Sequence, residues 1–309
     1  MKFFAKRKIE YLLKSACLCI GIVLLLAGCA DLYAPPTEDL EAVTPLEVTF
    51  FDVGQGDCAL ISLPDEKYVL IDGGNVPDGE LIATELQKMG ISELEIMVAT
   101  HPHEDHIGGL DDVLAALKVN QIYMPEISEK DTPTTKTYEY FLDAAINEGC
   151  DVYPAKAGET ILKGEDYSLL CLSPSRSDIG DINNYSVVLK LSYKEADFLF
   201  TGDAEKEIEE EILNSGYDIS AEIIKAGHHG SRTSCSKKFL EAVNPIYAVI
   251  SCGPNNSYGH PHKETIKALA EQGTKIYRTD ELGTITVGTD GENIYFSNNN
   301  SLILDGNKR

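Results

Sequence analysis

The seven histidines of this 309-residue chain fall in three short clusters: His101, His103 and His106; His228 and His229; His260 and His262. Histidines used for ordinary packing or surface positions would scatter along the sequence. The first cluster reads Thr100-His101-Pro102-His103-Glu104-Asp105-His106, directly after an apolar stretch and before Gly108-Gly109. Imidazole and carboxylate are the usual ligands of zinc and similar borderline metals. His101 and His103, two apart in an extended segment, point the same way and suit one ion. Asp105 and His106, at the turn into a helix, reach a second ion nearby. Four ligands do not close two metal sites, so partners must come from elsewhere in the chain. Asp203, in Thr201-Gly202-Asp203, is a candidate bridging carboxylate. The run Lys225-Ala226-Gly227-His228-His229-Gly230-Ser231 supplies further imidazoles at a loop.

The elements that must carry these loops alternate between strands and helices from Leu46 onward. Strands are expected over Leu46–Val53 and Cys58–Leu63, separated by the turn signal Gly54-Gln55-Gly56-Asp57, and over Tyr68–Ile71, closed by Asp72-Gly73-Gly74. Ile82, Leu86 and Met89 recur at helical spacing, and Leu94–Ala99 is a strand running into the first histidine cluster. Leu110, Val113, Leu114 and Leu117 mark a second helix, and another is expected near Tyr138–Ile146 within a weakly alternating stretch. Val187–Leu191 and Phe198–Phe200 form a hairpin pair, followed by a helix near Glu205–Leu213. Strand and helix units around Ile223, Val249 and Ile276, then strands Thr284–Val287 and Ile294–Phe296, complete the pattern. Hairpins mixed with crossover helices predict an α/β (α+β) fold, an αββα sandwich of two mixed β-sheets flanked by helices.

Composition bounds what the site acts on. There are 26 Lys+Arg against 50 Asp+Glu, a net charge of −24. This excludes a generically basic nucleic-acid binder, since sequence-independent phosphate affinity comes from clustered Lys and Arg. A polyanionic substrate must be held locally, by a metal ion or a small basic patch. The first 28 residues hold Lys2, Lys6, Arg7, Lys8 and Lys14, then an apolar run from Ala16 to Ala27 ending in Leu26-Ala27-Gly28-Cys29. A basic region, a short apolar region and small residues predict a signal peptide over 1–28, with Cys29 lipidated. An uncleaved anchor helix is the other reading; both put the chain outside the cytoplasm, at the cell membrane. Residues 29–45 are acidic and proline-containing, a tether; 46–300 are expected to form the folded domain that carries the histidine clusters, and 301–309 a C-terminal tail. Five further cysteines at irregular spacing, with no CxxC among them, predict neither a disulfide framework nor a cysteine zinc site.

The chain resembles the metallo-β-lactamase fold hydrolases, and more narrowly the extracytoplasmic hydrolase domain of ComEC-type proteins. The stretches that carry the resemblance are Phe51-Asp52-Val53-Gly54-Gln55-Gly56-Asp57, Ile71-Asp72-Gly73-Gly74, the HPHEDH run, Asn183-Asn184-Tyr185-Ser186, Thr201-Gly202-Asp203, GHHGSRTS from Gly227 to Ser234, and Tyr258-Gly259-His260-Pro261-His262. The resemblance implies His101 and His103 on one metal, Asp105, His106 and His228 on the other, and Asp203 between them. It implies His228 rather than His229 as the last ligand, because that ligand usually follows a small residue after a strand. The usual third histidine of the first site is replaced by Asn183-Asn184, a weaker donor that makes this site labile or Mn²⁺-preferring. Asn183, Asn184 and Asp72 are candidates to ligate or to support the ligands. The cofactors implied are two divalent ions, Zn²⁺ or Mn²⁺. No second long apolar segment is present, so no transmembrane channel is expected within this sequence.

Two cations close together generate hydroxide from water near neutral pH and neutralise charge on a phosphoryl oxygen. Asp105 or Asp203 is the expected proton acceptor, and His229 or His260 the expected acid for the leaving group. His260 and His262 read equally as a solvated loop before a helix over Lys263–Gln272. Ser231, Arg232 and Thr233 are candidate phosphate contacts or plain surface; Tyr258 stacks on a base or lines the pocket. The leading function is a lipid-anchored, metal-dependent phosphodiesterase on extracellular DNA or another nucleic acid. The alternatives are a phosphodiesterase or esterase on envelope polymers of the phosphocholine and teichoic-acid type, and a non-catalytic surface binding module. A true β-lactamase is disfavoured, because that branch needs the third imidazole.

Overall fold

A computed structural model describes residues 46–298 and 301–303. The expected signal peptide, Cys29 and the tether lie outside the described residues. One sheet contains β1 (Leu46–Phe50), β2 (Ala59–Ser62), β3 (Tyr68–Ile71), β4 (Glu93–Val98), β5 (Lys118–Pro125) and β6 (Asp151–Ala155). The other contains β7 (Thr160–Lys163), β8 (Tyr167–Ser173), β9 (Val188–Tyr193), β10 (Ala196–Phe200), β11 (Ile223–Lys225), β12 (Tyr247–Ile250) and β13 (Lys275–Arg278). The chain then returns to the first sheet with β14 (Ile285–Thr289), β15 (Ile294–Asn298) and β16 (Ser301–Ile303). The strand orders are β16-β15-β14-β1-β2-β3-β4-β5-β6 and β13-β12-β11-β10-β9-β8-β7.

Each sheet is half antiparallel and half parallel. β3 to β6 run parallel in the first, β10 to β13 in the second. Crossovers between parallel strands need helices, and the apolar spacing supplies them: α1 (Gly79–Lys88), α2 (Glu104–Ile107), α3 (Leu110–Ala116) and α4 (Lys136–Glu148) on the first sheet. On the second lie α5 (Lys206–Ser215), α6 (Lys237–Val243), α7 (Lys263–Glu271) and, after β13, the short α8 (Thr279–Leu282). Thr135 opens α4 by accepting the Tyr138 N–H at 3.3 Å, and Gly149 closes it in the left-handed region at φ 74°.

Alternation along the strands splits the core into three layers. Phe50, Val48, Phe198, Phe200, Tyr247 and Phe296 pack between the sheets. Leu60 and Leu70 face Ile82, Leu86, Leu110 and Phe141 of the first helical layer. Leu199 and Ile224 face Ile208, Phe239 and Leu269 of the second. The αββα expectation is met.

Two boundaries differ from the sequence expectation. The first strand stops at Phe50, because the Phe51 N–H turns to the Cys58 carbonyl at 2.9 Å. Residues 51–58 therefore leave the sheet as a loop. The segment read as a tail from 301 instead contributes β16, which pairs antiparallel with β15. Among the described residues, no helix is long and apolar enough to cross a membrane. Cys58, Cys150, Cys171, Cys235 and Cys252 are free thiols, as their spacing predicts.

Candidate metal centre

Side chains at the carboxyl ends of parallel strands converge where loops leave both sheets. β3 delivers Asp72, β4 the HPHEDH loop, β10 Asp203, and β11 the His228-His229 turn. Close packing of the loops requires glycine. A Cβ on Gly56 would meet the Asp105 carbonyl oxygen at 2.6 Å, and one on Gly109 the Gly73 carbonyl oxygen at 2.4 Å. His228 and His229 both sit at φ 51°, in the left-handed region. That conformation costs about 1–3 kcal/mol for each non-glycine residue, and here it turns His229 inward and leaves His228 at the cavity wall.

The first cluster divides as its spacing suggests. His101 Nε2 and His103 Nδ1 converge to 3.0 Å. His106 Nε2 faces Asp203 Oδ1 at 3.3 Å. The last imidazole of that group is His229, not His228. His229 Nε2 is 3.2 Å from Asp105 Oδ2 and 3.5 Å from Asp203 Oδ2, and Asp105, His106 and His229 form one group able to hold an ion. His228 sits half-buried in the cavity wall, with Nε2 3.6 Å from Asp203 Oδ2 and Nδ1 3.3 Å from Glu205 Oε1. The tight turn reverses the order expected from sequence: the second histidine of the pair swings under the loop and the first is left at the wall. Asp203 also groups with His101 and His106, so it stands between the two sets.

The residues fit divalent cations on chemical grounds. His106 Nε2, His229 Nε2 and Asp203 Oδ1 are buried without hydrogen-bond partners; His106 Nε2 faces Asp203 Oδ1 at 3.3 Å, and His229 Nε2 lies 3.5 Å from Asp203 Oδ2. Buried polar atoms left without partners are costly unless something satisfies them. The remaining ring nitrogens are committed elsewhere. His106 Nδ1 lies 2.7 Å from Asp72 Oδ2, and Asp72 also accepts the Thr100 N–H at 2.8 Å and hydroxyl at 2.7 Å. Asp72 thus faces away from the cavity and orients His106. His229 Nδ1 is 3.1 Å from the Ser251 carbonyl oxygen.

Protonation reflects this crowding. Burial disfavours charge on His106, but Asp203 and Asp72 outweigh it and raise its pKa well above the ordinary imidazole value. His229 is likewise raised to about 9, burial being outweighed by Asp203, Asp57 and Asp105. Asp203 is held well below the carboxylate range, again against burial, by His229 and His106. His101 goes the other way: burial, with His106 beside it, pushes it well below its ordinary value. In the metal-free protein, protons on His106 and His229 stand where cationic charge is required.

A cavity of about 220 Å³ opens above the cluster, lined by Gln55, His103, Glu104, Asp105, Asn183, Asp203, His228, His229, Tyr258 and His260. Asn183 presents an unpartnered Oδ1 there, whereas Asn184 Oδ1 accepts the Glu205 N–H at 3.0 Å. Of the two amides, Asn183 is the one at the site. Burial, aided by His228, His229 and His262, lowers the His260 pKa to about 4. With its pKa that low, His260 stands as the neutral imidazole at neutral pH and is a weak acid for the leaving-group role expected of it. His229 lines the cavity too, but its Nε2 lies among the Asp105 and Asp203 carboxylates and its Nδ1 faces the Ser251 carbonyl, so both ring nitrogens are engaged at the centre. Tyr258 is exposed and lines the cavity, but Ser231, Arg232 and Thr233 do not line it. Ser231 Oγ and Thr233 Oγ1 bond each other at 3.0 Å, and Thr233 Oγ1 lies 3.2 Å from His228 Nδ1. The Arg232 N–H donates to His262 Nδ1 at 3.1 Å, which gives His262 a role inside the loop.

Sequence reading missed Asp57, Lys225, Ser186 and Glu205. Asp57 was hidden in a turn signal, and Lys225 in an apolar strand. A lone charge ending a three-residue buried strand was the available clue. Ser186 Oγ accepts the Asp203 N–H at 3.0 Å and lies 3.4 Å from His101 Nδ1, so it ties the two sets together.

The profile of the Metallo-beta-lactamase superfamily matches residues 51–253. The chain is 34% identical over 259 residues to ComE operon protein 3 of Bacillus subtilis (strain 168), covering 77% of this chain and 32% of that protein. It is 30% identical over 270 residues to competence protein ComA of Neisseria gonorrhoeae, covering 86% and 35% respectively. The chain therefore spans about a third of the length of these curated relatives. Among solved structures, Igni18, a metallo hydrolase from Ignicoccus hospitalis, superposes with a TM-score of 0.50 at 14% identity, covering 79% of this chain and 98% of that one. CmlA, a diiron beta-hydroxylase from Streptomyces venezuelae, gives 0.52 at 13%, covering 80% and 55%. At such identities the likeness is one of fold. The profile match, which spans more than half of the sequence, covers every strand end that feeds the cluster. The chain belongs to the metallo-beta-lactamase superfamily, with ComEC-type competence proteins among its relatives.

Proposed function

We propose that the protein is a metal-dependent phosphodiesterase acting on nucleic acid, exported and held at the membrane through Cys29. The observation that carries the hydrolytic reading is the set of unpartnered, converging atoms on His106, His229 and Asp203 beneath an open cavity. His101, His103 and Asp203 would hold one divalent ion, with Asn183 at its open side; Asp105, His106, His229 and Asp203 would hold the other. Cations held there, Zn²⁺ or Mn²⁺, supply a nucleophile from water at neutral pH and offset negative charge on a phosphoryl group. His228, at the cavity wall with Glu205 beside its Nδ1, is the residue best placed to hand a proton to the leaving oxygen. Exposed Tyr258 offers a face to a base. Support for nucleic acid comes from the names of the relatives, one of which is a competence protein by description and another a recombination protein. With a net charge of −24, the protein would meet such a substrate through short, metal-centred contacts.

The test is to assay the purified chain with Mn²⁺ or Zn²⁺ on single- and double-stranded DNA, bis-p-nitrophenyl phosphate and phosphocholine esters. Cleavage of DNA that stops with chelator, and falls about 100-fold or more in His228→Ala, is expected. Turnover of phosphocholine esters with DNA left intact would move the substrate to envelope polymers.

A further inference from the structure

Beneath the metal centre, on the side away from the cavity, lies an ion pair that hydrolysis does not use. Lys225, at the end of β11, is 4% exposed and hydrogen-bonds the carboxylate of Asp57, itself 5% exposed. Phe50, Ile71 and Phe200 wall the space around the two groups, so the pair is dry. Burying a lysine and a carboxylate is weak as a source of stability, because desolvation offsets their attraction. The pair therefore calls for a role other than holding the sheets together.

Its geometry separates charge from orientation. Asp57 Oδ2 faces Lys225, while Oδ1 sits 3.2 Å from His229 Nδ1. The His229 ring is already oriented by the Ser251 carbonyl at 3.1 Å. Asp57 Oδ2 also approaches His106 Nδ1 to 3.8 Å, although that nitrogen is bonded to Asp72. Asp57 thus reaches two imidazoles whose rings Ser251 and Asp72 also hold. The loop that carries it is pinned by its own backbone, its N–H to the Asp105 carbonyl at 3.0 Å and its carbonyl to the Gly74 N–H at 2.8 Å. Asp57, Asp72, Asp105 and Asp203 place four carboxylates in this small volume, and Lys225, paired with Asp57, puts a permanent cation among them.

We propose that the Lys225–Asp57 pair is a built-in counter-charge that sets how tightly the centre holds its divalent ions. Lys225 cancels Asp57, so that the carboxylate does not over-bind cation from behind the ligands. Both are positioning residues, acting through His229 and His106 by charge. The inference rests on the metal-dependent reading above.

The experiment measures Mn²⁺ and Zn²⁺ affinity of the metal-free full chain by chelator competition, with thermal melts as a folding control. Loss of a unit charge a few ångströms from a divalent ion in a dry site changes affinity by about tenfold or more. Lys225→Met is expected to bind metal about tenfold tighter, and Asp57→Asn about tenfold weaker. Lys225→Arg and the double variant Asp57→Asn/Lys225→Met are expected within about threefold of wild type, since net charge is kept. A merely structural pair would weaken metal binding in both single variants, and that result overturns the proposal. Where a single variant fails to fold, the charge-neutral double variant decides, because a loss beyond about tenfold contradicts the counter-charge account. If wild type itself binds no divalent ion, the metal-dependent reading fails; if wild type binds and Lys225→Met binds more weakly, only the counter-charge fails.

Discussion

At the inner end of the cluster, both imidazoles are held by further groups: His106 by Asp72 and His229 by the Ser251 carbonyl. At the outer end, His101 has Thr100 at 3.2 Å and Ser186 at 3.4 Å, His103 is exposed, and the third position is the amide of Asn183. The inner donors bring carboxylate charge; the outer ones, apart from the shared Asp203, are neutral. Divalent cations respond to both charge and preorganisation. The two ends should therefore behave as a strong and a weak site that share one carboxylate.

Asp203 belongs to both sets, so its loss is expected to be the most severe. Asp203→Asn should cut hydrolysis on the order of 1000-fold and reduce bound metal at both sites, measured as turnover and metal per chain. Full stoichiometry in this variant would break the comparison. Asp72→Asn should act at one end only, weakening the tighter site about 10- to 100-fold while sparing the other, as read by chelator competition.

Proton competition distinguishes the ends without mutation. His229, at about 9 in the metal-free state, must lose a proton to ligate. Affinity of the inner site should climb about tenfold per pH unit for each proton displaced, and keep climbing to at least about pH 9, since His106 is raised as well. His101, already pushed low, has none to lose, so the outer site should be flat above about pH 7. The same shift has a sign for stability. A raised imidazole pKa stabilises the metal-free fold fully below about pH 6.5, its ordinary value, and that contribution is lost as pH rises through about 9. Melts of metal-free protein against pH check it. The smallest effect is Ser186→Ala, a change of about threefold in outer-site affinity, since its contact with His101 is long.

Much of this was legible in the sequence. Alternation and helical spacing placed the layers, and the confinement of all seven histidines to three clusters located the centre. What failed did so for local reasons. Which of His228 and His229 turns inward depends on two successive left-handed residues, a conformation no hydrophobic pattern encodes. Asp57 and Lys225 come from distant segments that meet only once the sheets pack, and each alone looks like a turn residue or a strand end. The low pKa of His260 arises from burial, with three other imidazoles gathered around it, again a product of assembly.

The most direct test of an unequal pair of sites is calorimetric titration of the metal-free chain with Mn²⁺, comparing wild type with Asn183→His. The account predicts two classes of site in wild type, the weaker tightening by about tenfold or more in Asn183→His while the stronger is unchanged. Two equivalent classes in wild type, or a substitution that shifts the stronger class, would contradict it.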